Sequence, residues 1–240
     1  MPFKLSVIGF KGGSGKSLIT YFIAKELSQT LKILLIDKTY SASISSLFKI
    51  SDSIFSGINY EKTLGNLTVI NASYSSDHFS EDKLMEVYRK YGNEYDVILL
   101  DNPSYPSDPY LIKEIEVYYK IFKQYTYNIL LVLSEEEIDY SIPLQYLPKL
   151  EKYLKDLISA QLKIELPETL KPVIVRAIAL NRYQRETIPS WLEENFPGLP
   201  KFKISSLNVL SIDKILEIPT PPELKSLAKY IEGLVYEHIY

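Results

Sequence analysis

The stretch Gly9-Phe10-Lys11-Gly12-Gly13-Ser14-Gly15-Lys16-Ser17 decides how the remaining chain is read. Before it, Phe3 to Gly9 has the composition of a buried strand. After it, Ser17 to Thr30 carries Leu18, Ile19, Phe22, Ile23 and Leu27 on one helical face. Glycines between a strand and a helix let backbone N–H groups turn inward with no Cβ in the way. The nest they form with the helix N-terminus takes phosphate oxygens. Lys16 supplies a point charge for the β and γ phosphates, and the Ser17 hydroxyl suits Mg²⁺. Phe10 stands where the ordinary G-x-x-x-x-G-K-[ST] pattern has its first glycine. Lys11 adds a second cation, which favours a highly charged triphosphate.

Working outward, strands and helices alternate to the end of the chain. Lys32–Asp37, Leu67–Ile70, Tyr95–Asp101, Tyr127–Leu133 and Pro172–Leu180 read as strands. Runs such as Ile33-Leu34-Leu35-Ile36 are apolar on both faces, as central parallel strands are. Helices are expected over Ser80–Tyr91, Pro109–Lys123, Ile142–Ser159, Thr187–Asn195, Val209–Leu216 and Pro222–Ile239. Thr39–Asn66 is Ser-rich and has no clear period. The expectation is an α/β fold, a mostly parallel sheet flanked by helices on both faces, in a single domain over residues 1–240.

Composition narrows the function classes. The 240 residues carry 27 Lys plus Arg against 30 Asp plus Glu, a formal charge of -3, unlike a bulk nucleic-acid binder. Cysteine is absent, which removes disulfides, thiolate metal sites, iron–sulfur ligation and cysteine nucleophiles. The apolar runs are too short to span a bilayer, and Met1-Pro2-Phe3-Lys4 enters a strand without a signal-peptide pattern, so a cytoplasmic location is expected. The 20 tyrosines are spread along the chain and read as packing and surface residues.

From Lys11 to Ser17 the chain matches K-G-G-x-G-K-[ST] at every fixed position. In this it resembles the deviant Walker A ATPases, the family of ParA partition proteins and MinD. The resemblance implies a P-loop fold that binds ATP and Mg²⁺, with the nucleotide held by Lys11, Gly12, Gly13, Ser14, Gly15, Lys16, Ser17 and Leu18. It also implies a homodimer closed around ATP, Lys11 reaching the partner's nucleotide. Lys11, Lys16 and Asp37 are the expected catalytic residues; Ser17, Asp37 and Asp101 are the expected metal-site residues. Asp37 and Asp101 end their strands beside the loop, where ligands bind in such sheets. Val97-Ile98-Leu99-Leu100-Asp101-Asn102-Pro103 resembles the family's Walker B and switch II. Residue chemistry alone leaves Asp101 as either a water-mediated Mg²⁺ holder or a cap for the next helix.

The match has one gap. The family's second strand ends in D-x-D, whereas this chain reads Asp37-Lys38-Thr39. Thr39 has no carboxylate to position an attacking water, so ATP turnover is expected to be weak or partner-dependent. The alternative is a hydrolysis-deficient nucleotide-binding scaffold or regulatory protein.

Farther along, Asn181-Arg182 resembles the family's base-recognition motif, and Ile218-Pro219-Thr220-Pro221-Pro222 the loop that wraps the base; on chemistry alone Asn181 could equally end a strand. The last helix carries more acid than base at Glu223, Lys225, Lys229, Glu232 and Glu237, so its apolar face reads as core and a membrane partner is not expected. Arg182, Arg185, Lys201 and Lys203 leave two readings, a nonspecific DNA patch or a solvated face. An adaptor or activator protein is a further expected partner.

Overall fold

The computed structural model describes residues 1–74, 79–104, 109–134, 141–206 and 214–239. Its organising element is β1 (Phe3–Ile8), buried along its whole length. Because β1 sits mid-sheet, both of its faces must be covered, and successive side chains serve opposite layers. Phe3, Leu5 and Val7 pack with α1 (Lys16–Leu27), α2 (Ser43–Leu47) and α7 (Pro222–Ile239). The opposite layer consists of α3 (Glu81–Tyr91), α4 (Pro109–Phe122), α5 (Ser141–Leu162) and α6 (Ser190–Asn195).

The sheet has eight strands in the order β3-β4-β2-β5-β1-β6-β7-β8. Besides β1, these are β2 (Ile33–Asp37), β3 (Glu61–Leu64), β4 (Leu67–Asn71), β5 (Val97–Asp101), β6 (Tyr127–Ser134), β7 (Val173–Asn181) and β8 (Lys201–Ile204). All neighbours run parallel except β3, which turns back antiparallel on β4. The expected mostly parallel sheet with helices on both faces is therefore what the chain forms. Register aligns the strand ends: Asp37 lies opposite Asp101, and Asp101 opposite Val7, just before the phosphate loop leaves β1.

Several local expectations change. The aperiodic Thr39–Asn66 segment holds α2 and β3. The helix expected from Thr187 begins only at Ser190, and β8 forms in a stretch for which no strand was expected. The helix expected over 209–216 falls mostly outside the described residues, and its described end is 3₁₀ at Lys214 and turn at 215–216. At the start of α3 the Ser80 hydroxyl accepts the Lys83 N–H, the N-cap that the Ser-Glu-Asp sequence signals.

Candidate functional site

The phosphate loop leaves the carboxyl end of β1 between β5 and β6, the point at which parallel sheets of this kind open a crevice. Gly13 and Gly15 adopt φ of 79° and 80°, a left-handed conformation that costs an L-residue about 1–2 kcal/mol. Gly15 is constrained twice, since a Cβ there would lie 2.1 Å from the Asn181 Nδ2. Asn181, at the end of β7, donates from that nitrogen to the Ser14 carbonyl at 2.7 Å. The donor expected to read a base thus clamps the loop itself. Phe10, in place of the usual glycine, is half-buried and stands edge-on to Tyr146 of α5, with ring centroids 5.8 Å apart.

Lys16 is buried at the start of α1, with its Nζ 3.4 Å from Asp101 Oδ1. Burial pushes the Asp101 carboxyl up from 3.8 to about 6, against the pull of Lys16, and the nearby Asp37 adds to the rise. Asp101 Oδ2 is buried and accepts no hydrogen bond from the described residues within ordinary hydrogen-bond geometry. An orphaned anionic oxygen beside Ser17 and a phosphate nest fits Mg²⁺, which takes only one or two protein oxygens and fills its remaining positions with phosphate and water. Among the described residues no cluster of three His, Cys, Asp or Glu offers an all-protein metal cage.

Asp37 is placed differently. Its Oδ1 accepts from the Thr39 N–H at 3.1 Å and the Thr39 hydroxyl at 2.6 Å. Its Oδ2 accepts from the Ser45 N–H and hydroxyl, each at 2.9 Å. The fully buried carboxylate therefore organises the loop after β2 and satisfies an otherwise orphaned amide near the start of α2. Thr39, which stands at the position of the second acid in the D-x-D pattern, is a donor to this carboxylate.

Two cavities flank the phosphate loop and share Gly12, Gly13 and Ser14. One, of about 690 Å³, extends past Ser17 and Leu18 to Thr39, Tyr40, Ile44 and Pro103. The other, of about 520 Å³, reaches Lys11, Ser134, Arg182 and Gln184. Lys11 and Arg182 are exposed, and Arg182 has a left-handed φ of 55°, an uncommon state for a non-glycine residue. Pro219 lines neither cavity; the neighbouring carbonyls of Leu216 and Ile218 accept from Lys25 of α1. In the late basic group, Lys201 is bound to Glu193 and to the Phe196 and Leu199 carbonyls, and the Lys203 ammonium to the Glu186 carbonyl.

Sequence reading passed over Ser45, Tyr40, Ser134, Gln184 and the buried Lys38. The cluster Ser41, Ser43, Ser45, Ser46 was a usable signal, because serines gather at helix starts. Lys38 gave none, because lysine reads as surface.

No family model matches the sequence, and no curated protein matches it. Solved structures do. A plasmid partition protein from Borrelia burgdorferi bound to AMPPNP matches with a TM-score of 0.60 at 17% identity, covering 100% of both chains. The septum site-determining protein MinD from Pyrococcus horikoshii, complexed with Mg-ADP, matches with a TM-score of 0.61 at 17% identity, covering 98% of this chain and 97% of that one. A ParA family ATPase from Chlorobium tepidum matches at 0.59 and 17%, covering 95% and 96%. The chain has the α/β fold of the ParA and MinD structures over its length.

Proposed function

We propose that this chain is a Mg-ATP-binding ATPase of the ParA/MinD kind that dimerises around ATP and uses the closed dimer to position DNA or another cargo. One observation carries the reading: two left-handed glycines turn the loop at the end of β1 while Lys16 stands against Asp101, between two cavities large enough for a nucleotide. Lys16 and the loop amides bind the phosphates, and Asp101 with Ser17 holds Mg²⁺, which when bound neutralises phosphate charge. Lys11, exposed on the rim of the smaller cavity, extends toward a facing protomer. Arg182 and Gln184 contact the base or ribose end in that same cavity, while Asn181 keeps the loop in shape.

Light scattering without nucleotide, with Mg-ADP and with Mg-ATP tests the reading. A dimer with Mg-ATP alone, absent in Lys11→Ala, is the expected result. A mass unchanged by Mg-ATP, once binding is verified separately, refutes the dimer. Thr39 favours slow turnover, or a slow switch with little catalysis, because its hydroxyl is committed to Asp37 and carries no charge. Thr39→Asp is expected to raise hydrolysis. Any DNA contact in this reading rests first on the exposed Arg182, because Lys201 and Lys203 are engaged by local carbonyls.

A further inference from the structure

Behind the phosphate site lies a charge cluster with no access to water. Glu114 of α4 is fully buried, and its Oε1 accepts from Lys4 of β1 at 2.6 Å and from the Tyr88 hydroxyl of α3. Its Oε2 is equally buried and accepts no hydrogen bond from the described residues. Lys38, the residue after β2, is also 0% exposed. Its ammonium donates to Asn102 Oδ1 at 3.0 Å, lies 4.7 Å from the Tyr110 ring centroid, and stands 3.7 Å from Glu114 Oε2. Asn102 is held for this contact by its own Nδ2, which donates to the Val7 and Leu100 carbonyls.

A buried ammonium cannot remain without acceptors. Among the described residues a neutral acceptor, Asn102, holds it, while the charged Glu114 stands less than an ångström beyond charge-assisted hydrogen-bond distance. The neutral acceptor is not a neutral bystander to ligand binding. Asn102 directly follows Asp101 and precedes Pro103 and Ser104, which line the larger cavity.

Resting on the nucleotide reading above, we propose that Lys38 is a positioning residue with two seats. When the loop after Asp101 is drawn toward a triphosphate, the Lys38 ammonium passes from Asn102 Oδ1 to Glu114 Oε2, so that α4 reports the state of the phosphate site. Coupling of this kind requires a discrete element that both sites bias, and the waiting carboxylate oxygen supplies one.

The test compares Mg-AMPPNP and Mg-ADP binding in wild type, Lys38→Met and Asn102→Ala, together with hydrogen exchange in Pro109–Phe122. In wild type the two nucleotides are expected to give different exchange in this helix. Lys38→Met should erase that difference and change the AMPPNP-to-ADP affinity ratio by at least about fivefold, the lower end of ordinary coupling. Asn102→Ala keeps Lys38 and Glu114 and removes the first seat together with the Nδ2 donations to Val7 and Leu100, so its nucleotide-free exchange should already match the AMPPNP pattern. If Lys38→Met folds poorly, this second variant decides. Equal loss of both affinities with the exchange difference retained would make Lys38 merely structural and overturn the proposal. Wild type binding neither nucleotide would overturn the nucleotide reading and this inference with it.

Discussion

Replacing Asp101 with Asn should stabilise the nucleotide-free protein while weakening its hold on Mg-nucleotide. Asp101 is fully buried and its carboxyl is pushed from 3.8 to about 6 even with Lys16 at 3.4 Å. A folded-state value above the unfolded one means that ionisation opposes folding. The cost is small below pH 4, grows as pH rises toward 6 and is constant above it. About two pH units of displacement correspond to about 3 kcal/mol. The pull of Lys16 is already contained in the displaced value, so a neutral Asn, standing in for the protonated acid, recovers most of that amount at pH 7.5. For a chain of this size the melting temperature should rise by roughly 6–12 °C. Urea denaturation of wild type and Asp101→Asn at pH 4, 6 and 7.5, without nucleotide or Mg²⁺, measures the effect. Subtracting one protein from the other cancels the titrating groups that do not interact with Asp101, which leaves Asp101 and its coupling to Lys16 and Asp37. The difference should grow by about 2–3 kcal/mol between pH 4 and 7.5. A difference independent of pH, or an Asp101→Asn protein less stable at pH 7.5, would refute the assignment of burial as the dominant influence on this carboxyl.

Gly15→Ala should lose at least about 2 kcal/mol, through its left-handed φ and the collision with Asn181; Gly12→Ala, with open space around it, should stay within about 0.5 kcal/mol in the same melts. Ser45→Ala removes one hydroxyl donor from Asp37 and should cost about 1–2 kcal/mol in urea denaturation. Lys201→Met should lower stability by about 1–2 kcal/mol, since it strips donors from two carbonyls and Glu193. It should leave the salt dependence of any DNA binding unchanged, whereas Arg182→Ala should reduce that slope by about 1.

The parts of this architecture visible in the sequence are those encoded by neighbours. The turn Lys11–Ser17 is a contiguous pattern, and Val97–Leu100 and Ile33–Ile36 announce central strands by being apolar throughout. Elements whose cause lies far along the chain stayed hidden. Helix α2 has five residues, too few to nucleate alone, and it is organised by the Asp37 carboxylate. β8 is a four-residue edge strand whose Lys201-Phe202-Lys203-Ile204 alternation is too brief to mark a period. Asn181 belongs to the phosphate loop through a bond to Ser14 spanning 167 positions. Lys38 is buried because Glu114 and Asn102 arrive from other elements, information that no local window contains.

The placement of β1 between β5 and β6 has a consequence for the order in which the protein is made. The strand that carries the phosphate loop is translated before both of its hydrogen-bonding neighbours, so Phe3 waits for Val97 and Leu5 for Asn128. At about 5–20 residues per second, roughly 90 residues of synthesis leave β1 unpaired for about 5–20 s. Of the elements that cover its apolar face, α1 and α2 are made in that interval while α7 is still to come, and the loop gains its Asn181 clamp only with β7. Nucleotide competence should therefore arise late in synthesis, after β7 has docked, and the nascent amino-terminal half should be the species most dependent on chaperones.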